Sequence, residues 1–297
     1  MPLISVVMPA RNADATLREA LDSLVAQTLS DFELVLVNDG SSDATLMLAE
    51  EYRGRLPLRV LSHVRSLGVA QSINDGLAAS DSEFVARLDA DDLAHPVRLE
   101  RQLAFLRDNP NVGVCGSHMQ VFSVENGLRD DRHVLAHPLG SAEIRTALVQ
   151  RCAVSHPSVV CRRQVFELAG VYDPRFDFAE DYELWCRASL LGVQFANVPE
   201  VLTSYRKHAG QISNTKAQLQ YERDIAIKNR YMSAFLQGEA AGLLPHLLSL
   251  QTQFPSRELA LAAFHQCGSA VVKLGRAVPD ADEYARILTG SLTRHLA

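Results

Sequence analysis

Short apolar runs separated by polar, turn-forming stretches dominate the first part of the chain. Runs of this length that are rich in Val, Leu and Ile favour buried strands. They predict strands at residues 3–8, 33–37, 58–61 and 83–88. Between them, apolar side chains recur three or four positions apart, as on one face of a helix. Thr16 and Glu19 predict a capping box at the start of the first helix.

Alternating strands and helices favour right-handed crossovers and a mainly parallel sheet flanked by helices. After residue 110 the order changes, with a strand followed by a helix, a strand with a short helix, a further helix and a last strand. A helical section follows residue 214. We therefore predict an α/β fold in two halves, residues 1–110 and 111–214, with a helical C-terminal extension at 215–297.

Three predicted strands end in polar, acid-bearing segments, "PARN", "NDGSSD" and "DADD". Ligands of parallel α/β sheets bind beyond the carboxyl ends of the strands, so we expect these segments to meet at one edge.

Two carboxylates about 4 Å apart repel by roughly 1 kcal/mol in water and about 4 kcal/mol at an effective dielectric of 20. A partly buried cluster of Asp89, Asp91 and Asp92 thus needs a cation or raised pKa values. Oxygen ligands suit Mg²⁺ or Mn²⁺, whereas the alternative is a solvated turn that caps the next helix.

Composition and charge narrow the class of protein. Of 297 residues, 47% are hydrophobic and 22% charged, as is ordinary for a soluble globular protein, and the net charge of −6 argues against binding nucleic acid. No apolar run reaches the roughly 18 residues of a transmembrane helix. Five scattered cysteines without a CxxC pair are expected to be free thiols in a reducing cytoplasm.

Five segments in order carry a resemblance: "SVVMPARN", "VLVNDGSSDAT", "RSLGVAQSINDGL", "ARLDADD" and "FAEDYELWCRA". The sequence from residue 3 to about 213 resembles the family-2 glycosyltransferases, which are inverting enzymes of the Rossmann-like GT-A fold that use nucleotide-sugar donors. The resemblance implies that residues 1–110 bind the nucleotide sugar and that residues 111–214 bind the acceptor and carry the catalytic base. The C-terminal extension lies outside it.

The resemblance implies a set of donor-binding residues, with Asp39 accepting a hydrogen bond from a uracil imide. Relatives often carry an aromatic residue at the position of Arg11. The implied donor-binding residues are Pro9, Ala10, Arg11, Asn12, Asp39, Arg65, Asp89, Ala90 and Asp91. Asp91, with Asp89 and His208, would hold Mn²⁺ or Mg²⁺ against the donor diphosphate.

Asp181 matches the position of the family's catalytic base, which takes the proton of the acceptor hydroxyl. The alternative is electrostatic, because acids at a helix start are favoured by about 0.3–1 kcal/mol without any catalysis. Four more residues would support these groups or contact the acceptor: Glu180, Asp92, His156 and Arg206.

These observations predict a metal-dependent glycosyltransferase that uses a UDP-sugar and a carbohydrate or lipid-linked acceptor in surface polysaccharide or glycolipid synthesis. The alternative is a non-catalytic nucleotide-sugar-binding protein on the same fold. The apolar stretch "AAGLLPHLLSL" predicts packing on the catalytic domain or a homodimer, or else contact with a membrane surface. We expect a cytoplasmic protein, with peripheral association at the inner face of the membrane as the second alternative.

Overall fold

The computed structural model describes residues 1–208, 216–237 and 241–296. Strands and helices alternate in the first part, as the apolar pattern predicts. The strands are β1 (Ile4–Ala10), β2 (Phe32–Asn38), β3 (Leu58–Ser62), β4 (Phe84–Arg87) and the short β5 (Leu93–Ala94). The helices are α1 (Leu17–Val25), α2 (Thr45–Glu50), α3 (Val69–Ala78) and α4 (Arg98–Asp108).

The second part adds four strands and three α-helices, and the residues described after it form helices. The strands are β6 (Val112–Glu125), β7 (Leu128–Leu135), β8 (Val160–Arg162) and β9 (Gln194–Lys207). The helices are α5 (Ser141–Ala147), α6 (Gln164–Ala169) and α7 (Glu180–Leu190). The described residues of the C-terminal section form α8 (Ala217–Phe235), α9 (Leu244–Leu248), α10 (Arg257–Gln266), α11 (Gly268–Ala277) and α12 (Ala281–Leu296). The predicted boundary at 214–215 lies outside the described residues, and the division into domains stays a prediction.

One sheet runs through both halves, in the order β3-β2-β1-β4-β8-β6-β9-β5, with β7 paired to β6. The four strands from β3 to β4 are parallel, and so are β6 and β9. The pairs β4–β8, β6–β8, β6–β7 and β5–β9 are antiparallel. The α/β class is therefore confirmed, with a sheet that is parallel on one side and mixed beyond β4, because β8 enters between β4 and β6 from the opposite direction.

Strands β1, β2 and β4 are buried on both faces of the sheet, which explains their apolar runs. Alternate residues of β1 point to different cores. Val7 packs with α3 and with the apolar residues of α5 and α7, whereas Val6 and Met8 pack on the other side with those of α1 and α4. This arrangement fixes the strand ends rigidly at one edge.

The capping-box prediction for α1 is wrong. Thr16 makes no cap bond; its hydroxyl instead donates to the Ala90 carbonyl at 3.1 Å, and Glu19 accepts from Arg206 at 2.9 Å. Both side chains therefore brace the loop after β4 and the end of β9 rather than the helix itself.

The apolar stretch of the C-terminal section packs on the catalytic domain. Leu244, Leu247 and Leu248 are fully buried in the same core as Tyr182 and Leu184 of α7. Among the helices in the described ranges, none combines the length and apolarity that crossing a bilayer requires.

Candidate active site

The carboxyl ends of β1, β2 and β4 open onto a cleft of about 1030 Å³. Residues from both predicted halves line it, so the sheet edge does bring the candidate segments together. Of the residues predicted from sequence, the cleft is lined by Pro9, Ala10, Arg11, Asn12, Asp39, Asp89, Ala90, Asp91, His156, Glu180, Asp181 and His208. The exposed Arg65 and the buried Arg206 and Asp92 lie outside this lining, as far as the described residues define it.

Asn12 fixes the turn after β1. It adopts a left-handed backbone conformation with φ of 49°. Its side-chain oxygen accepts from the Ser42 amide at 2.9 Å, while its own amide donates to the Ser41 hydroxyl at 3.0 Å. The strand ends of β1 and β2 are thereby tied together next to Arg11, which is exposed to the cleft.

Asp39, at the end of β2, is 4% exposed and accepts four hydrogen bonds. One oxygen accepts from His63 at 2.8 Å and from the Leu67 amide at 2.7 Å, and the other from Ser66 at 2.6 Å and the Gly68 amide at 3.2 Å. Burial alone raises the pKa of Asp39, but these bonds outweigh it and the pKa lies below its ordinary value. The carboxylate is ionised and holds the loop that leads into α3.

Arg87 holds the first acid of the loop after β4. This arginine is 2% exposed, and its guanidinium lies 2.5 Å from the Asp89 carboxylate. Burial raises the pKa of Asp89, yet the charge of Arg87 brings the pKa below its ordinary value. Asp89 therefore remains negatively charged.

The pKa values of Asp91 and Asp92 lie above their ordinary value, in contrast to that of Asp89. Burial and the charge of Asp89 raise the pKa of Asp91, and burial with both neighbouring charges raises that of Asp92 well above its ordinary range. Asp92 is fully buried; one oxygen accepts from the Arg206 amide at 2.8 Å, and the other has no hydrogen-bond partner among the described residues.

The loop offers a donor set that fits a hard divalent cation. Carboxylate oxygens of Asp89, Asp91 and Asp92 lie within 4.8 Å of one another, and His208 Nε2 lies 3.0 Å from Asp91 Oδ2. The pKa values of Asp91 and Asp92 are raised because both are buried and lie beside other negative charges. A bound cation would stabilise their ionised forms. The carboxylate oxygens suit Mn²⁺ or Mg²⁺.

The end of β9 closes the cleft beside this loop. The Arg206 guanidinium donates to the Asp91 carbonyl at 2.9 Å and lies over the Phe122 ring at 4.7 Å. Its role is thus to hold the acidic loop in place, while the neighbouring His208 reaches the cleft.

Asp181, in the first turn of α7, lines the same cleft as the acidic loop. The Cys152 thiol lies 3.5 Å from Asp181 Oδ2, and Oδ1 accepts from the Tyr182 amide at 2.8 Å. Burial, and the neighbouring charge of Glu180, raise the pKa of Asp181. A general base works best with a pKa near the operating pH, and burial moves Asp181 in that direction.

Glu180 and His156 form a buried pair that lines the cleft with Asp181. Burial raises the pKa of Glu180 to about 7 and lowers that of His156 to about 4, so the imidazole is neutral at pH 7. His156 Nε2 lies 2.9 Å from the Tyr172 hydroxyl, and Nδ1 lies 3.6 Å from Glu180.

Several residues of the cleft are not predicted from the sequence. Arg87 is one of them, although an arginine inside a buried apolar run is a signal of a paired charge. Cys152, Asp177 and Gln220 also line the cleft, and no local motif marks them. Phe178 lines it too and is the first residue of the segment "FAEDYELWCRA", but it is not among the predicted site residues.

Sequence comparisons identify the chain as a glycosyltransferase. The chain belongs to glycosyl transferase family 2, whose model matches residues 5–168. An uncharacterized glycosyltransferase of Haemophilus influenzae is 30% identical over 243 residues, which is 79% of this chain and 75% of that protein. The amylovoran biosynthesis glycosyltransferase AmsE of Erwinia amylovora is 28% identical over 254 residues, 84% of this chain and 94% of that protein.

Solved structures confirm the GT-A glycosyltransferase fold. S. aureus TarS 1-349 in complex with UDP-GlcNAc superimposes with a TM-score of 0.64 at 19% identity, over 98% of this chain and 92% of that one. The mannosyltransferase PcManGT of Pyrobaculum calidifontis, in complex with GDP-Man and Mn²⁺, gives 0.59 at 18% identity, over 98% and 80%. At such identities the likeness concerns the fold alone.

Proposed function

We propose that the chain transfers a sugar, with inversion, from a UDP-sugar to a hydroxyl group of a carbohydrate or lipid-linked acceptor. One observation carries the proposal: Asp89 and Asp91 of the acidic loop line the same cleft as Asp181. The relative named for amylovoran biosynthesis supports a role in surface polysaccharide or glycolipid synthesis, and the TarS complex with UDP-GlcNAc supports a UDP-linked donor.

Asp91, Asp89 and His208 are the residues that would hold Mn²⁺ or Mg²⁺. When bound, such an ion supplies a positive charge that stabilises the departing diphosphate, an effect worth several kcal/mol. Arg87 and Arg206 keep the loop in shape, since one fixes Asp89 and the other the Asp91 carbonyl. The Mn²⁺ complex of PcManGT supports the choice of ion.

The nucleotide would lie on the ends of β1 and β2, against Pro9, Ala10, Arg11 and Asn12. Asp39 holds the loop at residues 66–68 beside it. Its role as acceptor for the uracil imide stays a prediction that requires one of its four present hydrogen bonds to be exchanged, because both oxygens are already occupied. A contact from Arg65 stays a prediction.

Asp181 would act as the base. The acceptor oxygen bonds to the anomeric carbon as the bond to the diphosphate oxygen breaks, the electron pair leaves with the diphosphate, and the hydroxyl proton passes to Asp181. Attack from the side opposite the leaving group inverts the anomeric carbon. Glu180, with a pKa of about 7, and His156 would support Asp181 from neighbouring positions in the cleft.

Two substitutions separate donor binding from chemistry. Asp91→Ala should abolish the Mn²⁺-dependent binding of UDP, whereas Asp181→Asn should leave binding intact and lower turnover by about 10²–10⁴-fold. Calorimetry with UDP and Mn²⁺, together with nucleotide release from UDP-sugars, measures both. An equal loss of binding in the two variants would contradict the assignment.

A cytoplasmic location is part of the proposal, supported by five cysteines that are all free thiols. A homodimer and peripheral membrane association remain predictions.

A further inference from the structure

Phe178 stands two residues before Glu180 in an unusual backbone conformation. Its φ of 78° lies in the left-handed region, which a bulky side chain rarely adopts. Such a residue persists only where its surroundings hold it. Because Glu180 and Asp181 follow directly, the direction in which the chain enters α7 depends on Phe178.

Two side chains of α8 hold Phe178. The Gln220 amide donates to the Phe178 carbonyl at 2.9 Å, and the Arg223 guanidinium lies over the Phe178 ring at 5.3 Å. On the other side of Phe178, Asp177 accepts from the Ala70 amide at 2.8 Å, in the first turn of α3. The segment before α7 is therefore fastened to both the donor half and the C-terminal extension.

Helix α8 has a rigid support for this contact. It runs beside α7 in the same direction, with Arg230 2.9 Å from Glu183 and the Tyr231 hydroxyl 2.8 Å from that of Ser189. Gln220 also lines the cleft. The first turns of α8 are thus fixed relative to α7 by contacts further along both helices.

We propose that Gln220 and Arg223 are positioning residues that hold Phe178 in its left-handed conformation and so place Glu180 and Asp181 at the cleft. The C-terminal extension thereby completes the active site rather than only covering the core. The part that concerns turnover rests on the proposed function; the part that concerns the conformation of residues 177–181 does not.

Gln220→Leu tests the contact, and Gln218→Leu is a matched control, because Gln218 is exposed on the same helix and bonds to Glu222. Hydrogen exchange of peptides covering residues 177–185, without substrate, should be about tenfold faster in Gln220→Leu and unchanged in the control. In Gln220→Leu, the kcat for nucleotide release from UDP-N-acetylglucosamine, UDP-glucose and GDP-mannose should be about ten- to hundredfold lower than in the wild type. The affinity for UDP with Mn²⁺ should stay within about twofold, since the nucleotide would lie on other elements.

A rescue distinguishes positioning from a general loss of stability. Glycine adopts positive φ without strain, so Phe178→Gly removes the need for the clamp, and Phe178→Asn serves if that variant does not fold. In either background Gln220→Leu should lower kcat by no more than about threefold. An equal loss with and without the Phe178 substitution overturns the proposal.

The proposed function and the positioning claim fail separately. If the wild-type protein releases nucleotide from none of the sugars, the proposed function fails while the exchange experiment still decides the positioning claim. Unchanged exchange at residues 177–185 in Gln220→Leu refutes that claim whatever the activity.

Discussion

Glu180→Gln is expected to stabilise the protein, and more so as the pH rises. Glu180 is 6% exposed, its Oε1 lies 3.6 Å from the neutral His156, and its Oε2 has no hydrogen-bond partner among the described residues. Burial raises its pKa from the ordinary 4.5 to about 7, because a hydrogen bond with its own backbone offsets only part of the effect of burial. The substitution keeps the shape of the side chain and removes its charge.

The magnitude follows from the two protonation equilibria. The folded chain binds the proton more tightly than the unfolded chain, so stability falls as the pH rises from 4.5 to about 7 and levels off above that value. Each tenfold difference in proton affinity is worth about 1.4 kcal/mol. Relative to the wild type, Glu180→Gln should therefore gain about 1 kcal/mol at pH 5 and about 3 kcal/mol at pH 8.

Urea unfolding at pH 5 and pH 8, in metal-free buffer, measures the difference. Glu167→Gln, at an exposed position of α6, is the control and should show no dependence on pH. A gain for Glu180→Gln that is the same at both pH values, or a loss that grows with pH, would refute the argument that Glu180 is an uncompensated buried acid.

Two further predictions concern contacts around the cleft. Cys152→Ala removes a donor that favours the ionised form of Asp181, so the acid limb of the pH profile for nucleotide release should move to higher pH, whereas Cys152→Ser should not move it upward. Gly68→Ala should destabilise the protein, because Gly68 has φ of 98° and a Cβ there would lie 2.2 Å from Asp177 Oδ2. Gly127, the control, has φ of 76°, but a Cβ there would have no atom within 4 Å. Gly127→Ala should therefore cost only the roughly 1–2 kcal/mol of the left-handed backbone conformation. The urea midpoint should fall further in Gly68→Ala than in Gly127→Ala.

Strands β1, β2 and β4 are predictable from the sequence because nearly all of their residues are buried on both faces of the sheet. Most of their residues are apolar, and the polar residues that follow each strand mark its end. For this reason the sequence pattern alone is enough to place Asp39 and Asp89 at one edge of the sheet, where the parallel register of β1 with β2 and β4 puts them. The edge strand β3 is only partly buried, but it is still predicted from its short apolar run.

Strand β7 is not predicted by the sequence pattern. Its sequence "LRDDRHVL" is mostly charged and exposed, and it is a strand because β6 pairs with it across the turn at Asn126 and Gly127. Antiparallel pairing of β8 with β4 and β6 likewise depends on contacts between distant residues, which no local pattern encodes.

The acidic residues of the cleft can be predicted from the sequence motifs, but the side chains that contact these motifs in the fold cannot. Cys152 contacts Asp181 across 29 positions, and Gln220 contacts Phe178 across 42. Such contacts arise from tertiary packing between distant segments, and neither Cys152 nor Gln220 belongs to a motif. The electrostatic difference between Asp89 and Asp91 also depends on where the Arg87 guanidinium lies in the fold.

Manganese anomalous scattering from crystals soaked with Mn²⁺ and UDP tests most directly the assignment of the acids after β4. Our account predicts a single strong peak coordinated by the Asp91 carboxylate and by oxygens of the diphosphate, with the uracil beside Asp39. If UDP occupies the cleft while no manganese lies at Asp91, or if nucleotide and metal bind elsewhere, the assignment of these acids to donor binding is wrong.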